Sequence, residues 1–159
     1  MSYDFLDTIK ENERAILKLV RIYADQHEDQ KDLYQEIIYQ LWKSFQSFQG
    51  NSKISTWIYK VALNTSLAHI NFKNKHSKTI SIKDIGLQFE ENNDNQLEEK
   101  ITEMYQHIKQ LNEIDKAIVF LFLEGKSYNE IADIMGFTTA NIGTRLNRIK
   151  MKLKKQIAK

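Results

Sequence analysis

At 159 residues the chain has room for one medium domain or two small ones, and its 42% hydrophobic and 11% aromatic content excludes wholesale disorder. Cysteine is absent, which excludes disulfide frameworks and thiolate zinc sites together. No run of about eighteen apolar residues is present to span a membrane. The opening MSYDFLDTIK also lacks the basic-then-apolar order of a secretion signal, so a cytoplasmic protein without membrane insertion is expected.

The formal net charge of +2 hides an uneven distribution. From 126 to 159 eight Lys/Arg stand against Glu130 and Asp133, whereas from 84 to 103 seven acids stand against Lys100. A basic end beyond an acidic middle is a footprint of nucleic-acid binding, and equally of a solvated helix face.

With no proline and five glycines, long helices are easy to build and tight-turn β architecture is hard. Apolar residues recur at helical period in chain order. The first stripe is Ala15, Ile16, Leu19, Val20 and Tyr23. The second is Leu33, Tyr34, Ile37, Ile38, Leu41, Trp42 and Phe45, and the third is Ile54, Trp57, Ile58, Val61, Ala62 and Thr65. Each predicts a helix with one buried face, and the three predict a helical domain over 1–75.

The periodicity then lapses. Ser, Lys, Asn and Asp dominate 76–96, including FEENNDNQ, which predicts a flexible linker with at most a short ordered piece at 80–85. A second domain is expected over 97–159. Its patterning resumes with Leu97, Ile101, Met104, Tyr105 and Ile108, then Ile114, Ala117, Ile118, Leu121 and Phe122.

The sharpest local signals come last. Ser127 followed by Glu130 is a capping box that starts a helix at Tyr128, and Gly136 stops it in a left-handed turn. Thr138 caps the next helix, which buries Ile142, Leu146, Ile149 and Leu153 and runs into the lysine-rich tail. Two short helices about a glycine turn, the second strongly basic, describe a helix-turn-helix, against the plainer alternative of a helical hairpin with a basic tail. In a major groove that second helix offers Thr139, Asn141, Gly143, Thr144, Asn147 and Arg148 to base edges. Asn suits adenine, Arg suits guanine, and Lys150, Lys152 and Lys154 suit phosphates.

Catalytic residues are not expected. The four histidines are scattered without metal-ligand spacing, and neither a phosphate loop nor a nucleophile motif is present, so no metal, cofactor or enzymatic activity is predicted.

Residues 32–70, DLYQEIIYQLWKSFQSFQGNSKISTWIYKVALNTSLAHI, resemble region two of sigma-70-class factors of the extracytoplasmic-function group. Residues 111–155, LNEIDKAIVFLFLEGKSYNEIADIMGFTTANIGTRLNRIKMKLKK, resemble their region four. The resemblance implies an all-α protein of two small domains that binds core RNA polymerase and directs it to promoters. It implies that Asp32, Gln35 and Glu36 grip the polymerase. It also implies that Phe48, Gly50, Asn51, Ser52 and Lys53, with Val61, Ala62 and Asn64, hold a base flipped out of the −10 element. There Phe48 would supply an apolar wall and Asn64 an amide. Trp57 is expected in the core, and Tyr59 stays open between core and base stacking. The recognition-helix residues Thr139, Asn141, Gly143, Thr144, Asn147 and Arg148 would read the −35 element. Many relatives carry Lys or Arg where this chain has Gly143, which is either a close backbone approach or a slight bend. Promoter DNA and core polymerase are the implied partners, with an anti-sigma factor as a further one. A stand-alone helix-turn-helix regulator and a helical clamp that never reads DNA are the competing readings.

Overall fold

In a computed structural model, which describes residues 4–48, 50, 52–76 and 96–157, the described residues form helices joined by short connections, with no strand among them. Three helices precede the undescribed stretch: α1 (Phe5–Tyr23), α2 (His27–Phe45) and α3 (Ile54–His76). Four follow it: α4 (Gln96–Lys109), α5 (Glu113–Leu123), α6 (Tyr128–Met135) and α7 (Thr139–Ile157). The expected ordered piece at 80–85 lies outside the described residues, and Gln96, assigned to the linker by composition, already belongs to α4.

In the first group the predicted stripes form the core. Ile16, Leu19, Leu33, Ile37, Leu41 and Ile58 are all at most 1% exposed, because α1, α2 and α3 turn their apolar faces to one another. Glu28 and Asp29 in the first turn of α2 favour its positive N-terminal end. Asp29 also takes His69 and Lys73 of α3, tying the start of α2 to the far part of α3.

Trp42 departs from expectation. It stands 61% exposed, because Leu33, Ile37 and Leu41 complete the buried row and Trp42 lies about 100° further round the helix. With Phe5, Tyr34, Ile38 and Tyr39 it lines an open apolar groove between α1 and α2 that also reaches Gln35.

The second group is built around α5. Lys116, Ala117, Ile118, Val119, Phe120 and Leu121 are buried in succession, the mark of a helix enclosed on every side. Ile114 and Phe122, predicted on its inner face, are instead at its margins and 39% and 37% exposed. The Asn112 side chain accepts from the Asp115 amide at 2.8 Å and caps the helix.

The two groups pack together through α1, α3, α4 and α5. The Tyr23 hydroxyl donates to the Glu113 carbonyl at 2.8 Å, and burial, then the Glu113 carboxylate, push its pKa upward. Tyr59 meets Phe120 edge-to-face at 5.5 Å, and the Arg21 guanidinium lies 4.1 Å from the Tyr105 ring centre. Lys18–Glu124 and Lys109–Asp25 close the rim at 3.2 Å each. Such rim pairs are screened and add little stability. The buried Tyr59–Phe120 contact matters more.

Candidate nucleic-acid interface

The helix-turn-helix forms as its local chemistry demands. Ser127 Oγ accepts from the Glu130 amide and the Glu130 carboxylate accepts from the Ser127 amide, both at 3.1 Å, so two orphan donors of α6 are satisfied. Hydrogen bonds to the carboxylate from the Ser127 amide, then from its hydroxyl, hold the Glu130 carboxyl below its ordinary pKa. Gly136 closes α6 at φ 74°, a left-handed conformation that a side chain would oppose. Thr138 Oγ1 then accepts from the Asn141 amide at 3.1 Å and starts α7.

Ile142, Leu146 and Ile149 are buried, which fixes the rotation of α7. Thr139, Asn141, Thr144, Asn147 and Arg148 are exposed, so these predicted reading residues stand on accessible surface. Thr139 Oγ1 donates to Asn129 Oδ1 of α6 at 2.8 Å. Lys150 lies 4.5 Å from the Phe122 ring centre, a cation–π contact that draws it toward α5. Lys152 and Lys154 are exposed.

Gly143 is half-buried and helical. A Cβ there would meet the Tyr128 ring at 3.7 Å, ordinary van der Waals contact, so alanine fits without displacement. Gly143→Ala is therefore expected to raise stability by about 0.5–1 kcal/mol through lost unfolded-state freedom. In a thermal melt that is a Tm rise of about 1–4 °C. A lower Tm would mean the backbone needs glycine here.

The loop between α2 and α3 folds back on an aromatic row. The Phe48 ring lies 5.2 Å from that of Trp57, which meets Phe45 edge-on at 6.2 Å, and Phe45 meets Phe5 at 5.3 Å. Gly50 adopts φ 75° and is exposed, as are Ser52 and Lys53. Asn51 lies outside the described residues. On α3, Asn64 is exposed, Val61 is half-buried, and Ala62 is 1% exposed within the core. Tyr59 is 8% exposed and occupied by Phe120 in this arrangement, so it offers no free face to a base.

Lys126, just ahead of the capping box, joins the two candidate reading elements. Its ammonium lies 3.4 Å from both Ser55 Oγ and Thr56 Oγ1 and 5.3 Å from the Tyr59 ring centre. Sequence reasoning missed this residue, because its partners lie about seventy positions away and no local pattern marks them.

On α2, Asp32, Gln35 and Glu36 are all exposed on the face opposite Leu33 and Ile37, with Glu36 accepting from Gln40 at 3.1 Å. This acidic face borders the apolar groove of Trp42. Among the described residues no helix is long and apolar enough to cross a membrane.

Comparison with known proteins bears on both halves. The family model for Sigma-70 region 2 matches residues 8–75, and that for Sigma-70, region 4 matches residues 101–153. The RNA polymerase sigma factor YlaC of Bacillus subtilis is 28% identical over 139 residues, spanning 83% of this chain and 79% of that protein. The ECF RNA polymerase sigma-E factor of Haemophilus influenzae is 24% identical over 143 residues, 81% of this chain and 75% of that one. Among solved structures, the sigma factor RpoE in complex with the anti-sigma factor NepR from Bartonella quintana shares the fold. Its TM-score is 0.72 at 18% identity, over 94% of this chain and 95% of that chain.

Proposed function

Because this chain belongs to the ECF group of the sigma-70 family and so acts as an RNA polymerase sigma factor in transcription initiation, we propose that it docks on core polymerase through α2 and reads promoter DNA at two places. The exposed face of Asp32, Gln35 and Glu36 grips the polymerase. The loop of Phe48, Gly50, Asn51, Ser52 and Lys53, with Val61 and Asn64 on α3, receives an unpaired base of the −10 element. Ala62 packs beneath that pocket. The exposed residues of α7 enter the major groove of the −35 element. One observation carries this reading. A single chain joins an acid-bearing free face on α2 to a fully capped helix-turn-helix whose second helix exposes Asn141, Thr144, Asn147 and Arg148.

The two reading surfaces have different chemistry, as the two tasks require. Opening a duplex costs a few kcal/mol per unstacked base. The Phe48–Trp57 pair offers an apolar wall to offset that, and Asn64 offers an amide for the base edge. The −35 element is read closed, which suits a rigid helix with Lys152 and Lys154 near phosphates. Elements about 25 base pairs apart lie about 85 Å apart along straight duplex at 3.4 Å per pair. The contacts of Lys126 with Ser55 and Thr56 therefore part when both elements are bound. The closed arrangement suits a chain off DNA, and the likeness to a sigma factor captured with its anti-sigma factor supports an inhibitory partner of that kind.

The docking assignment is tested by size exclusion of the full chain with bacterial core polymerase, beside the Asp32→Ala/Gln35→Ala/Glu36→Ala variant. The parent is expected to co-elute and the variant to elute free with unchanged helicity. Free elution of both, with palindromic duplex bound in the absence of polymerase, would instead indicate a stand-alone regulator.

A further inference from the structure

Asn141 opens the exposed face of α7, and its side chain has a partner on the same helix. Arg145, one turn on, donates from Nε to Asn141 Oδ1 at 2.9 Å. The guanidinium is itself held from two other directions. Its NH1 donates to Asp115 Oδ1 of α5 at 3.2 Å, and its central carbon lies 5.2 Å from the Phe137 ring centre. Asp115 is fixed in turn by Asn112, which donates from Nδ2 to Asp115 Oδ2 at 3.1 Å and accepts from the Asp115 amide at 2.8 Å. The chain of contacts runs Asn112, Asp115, Arg145, Asn141, from the cap of α5 to the first turn of the recognition helix.

A guanidinium carries donors and no acceptor, so the group turned toward it has to be the amide oxygen. The Asn141 NH₂ is left as the outward end, with no acceptor among the described residues. We propose that Arg145 is a positioning residue that holds the Asn141 amide oxygen-inward, so that Asn141 presents its NH₂ donors foremost to DNA. This deepens the −35 reading and rests on it. It also revises the pairing expected from residue type alone. An asparagine matches adenine by offering donor and acceptor side by side, and here one of the oxygen's two lone pairs is engaged on the protein, which weights the contact toward the donor. A donor presented foremost matches an acceptor on the DNA, namely N7 or O6 of guanine, O4 of thymine, or a phosphate oxygen.

The test uses the full chain with core polymerase on a promoter library randomised across the −35 element, with transcribed sequences counted. Four proteins are compared: the parent, Asn141→Ala, Asn141→Asp and Arg145→Met. The aspartate keeps an oxygen for Arg145 and turns an acceptor outward. The methionine keeps an apolar stem near Phe137 and removes the hold on the amide. If the partner is a base, the parent prefers guanine or thymine at the one position where Asn141→Ala loses preference, by about two- to tenfold. Asn141→Asp then moves that preference toward cytosine or adenine, and Arg145→Met lets adenine rise. If the partner is a phosphate, Asn141→Ala lowers output about two- to tenfold across all sequences, Asn141→Asp lowers it further, and base preference is unchanged. In that case Arg145→Met lowers output in the same uniform way. Adenine preferred by the parent at the Asn141-dependent position overturns the proposal. So does parental behaviour in Asn141→Ala, or in Arg145→Met with a native thermal melt. Absence of any promoter-dependent transcript from the parent is a different result: it sinks the promoter reading itself, and this proposal with it.

Discussion

Phe120→Ala is expected to lower unfolding free energy by about 3–5 kcal/mol. The ring is 1% exposed at the centre of α5, so its removal strips apolar contacts from all sides and leaves a cavity that helices already capped at Asn112 and Ser127 cannot easily close. It also removes the edge-to-face contact with Tyr59 across the two helical groups, a pair worth about 0.5–1.5 kcal/mol beyond its area. Against a total stability of about 5–15 kcal/mol, that loss is a large fraction of the whole. Denaturant titration with helicity as the signal measures it. A cost under about 1 kcal/mol would contradict the packing of α5 against α3, since an exposed or loosely held ring would cost that little.

Arg148→Ala is expected to reduce initiation at a cognate promoter about ten- to hundredfold without unfolding the protein. Arg148 is exposed on α7 beside Asn147, and a bidentate arginine–guanine pair contributes about 1–3 kcal/mol of discrimination. The loss should fall on promoters carrying the contacted guanine and be small on those lacking it. Lys152→Ala and Lys154→Ala should behave differently. Each removes a phosphate partner, weakens binding evenly across sequences, and lowers the salt dependence by about one unit. Run-off transcription at several salt concentrations separates the two behaviours. An even loss from Arg148→Ala would make it a phosphate contact.

Much of the fold was legible where local chemistry decides it. The Ser127/Glu130 box and Gly136 define α6 by contacts within a few residues, and both took the conformation their spacing predicts. The rows Leu33, Ile37, Leu41 and Ile142, Leu146, Ile149 identify buried faces because helical period alone sets which positions align. What stayed illegible depends on which helices meet. Trp42 sits next to a buried row, and only the placement of α1 decides that it projects into a groove instead of the core. Tyr59 was left open and is buried, because Phe120, sixty-one positions on, covers it.

The candidate sites follow the same division. Exposure of Asp32, Gln35, Glu36, Asn64, Thr144 and Arg148 follows from their positions opposite predicted stripes. The partner of Asn141 does not. Arg145 is spaced for a helical contact, but its anchor Asp115 lies thirty positions earlier on another helix, so the orientation of the amide is a tertiary property. Ala62 shows the converse: the family resemblance groups it with the proposed −10 pocket, while its 1% exposure places it under the surface.

The most direct test of promoter reading is to map transcript 5′ ends made in vitro by core polymerase with and without the full chain on fragmented bacterial DNA. Promoter reading by this chain predicts new start sites that appear only in its presence and share two short motifs, one near −10 and one near −35, at a fixed spacing. Start sites unchanged by the chain, or new ones lacking any shared upstream motif, would contradict it.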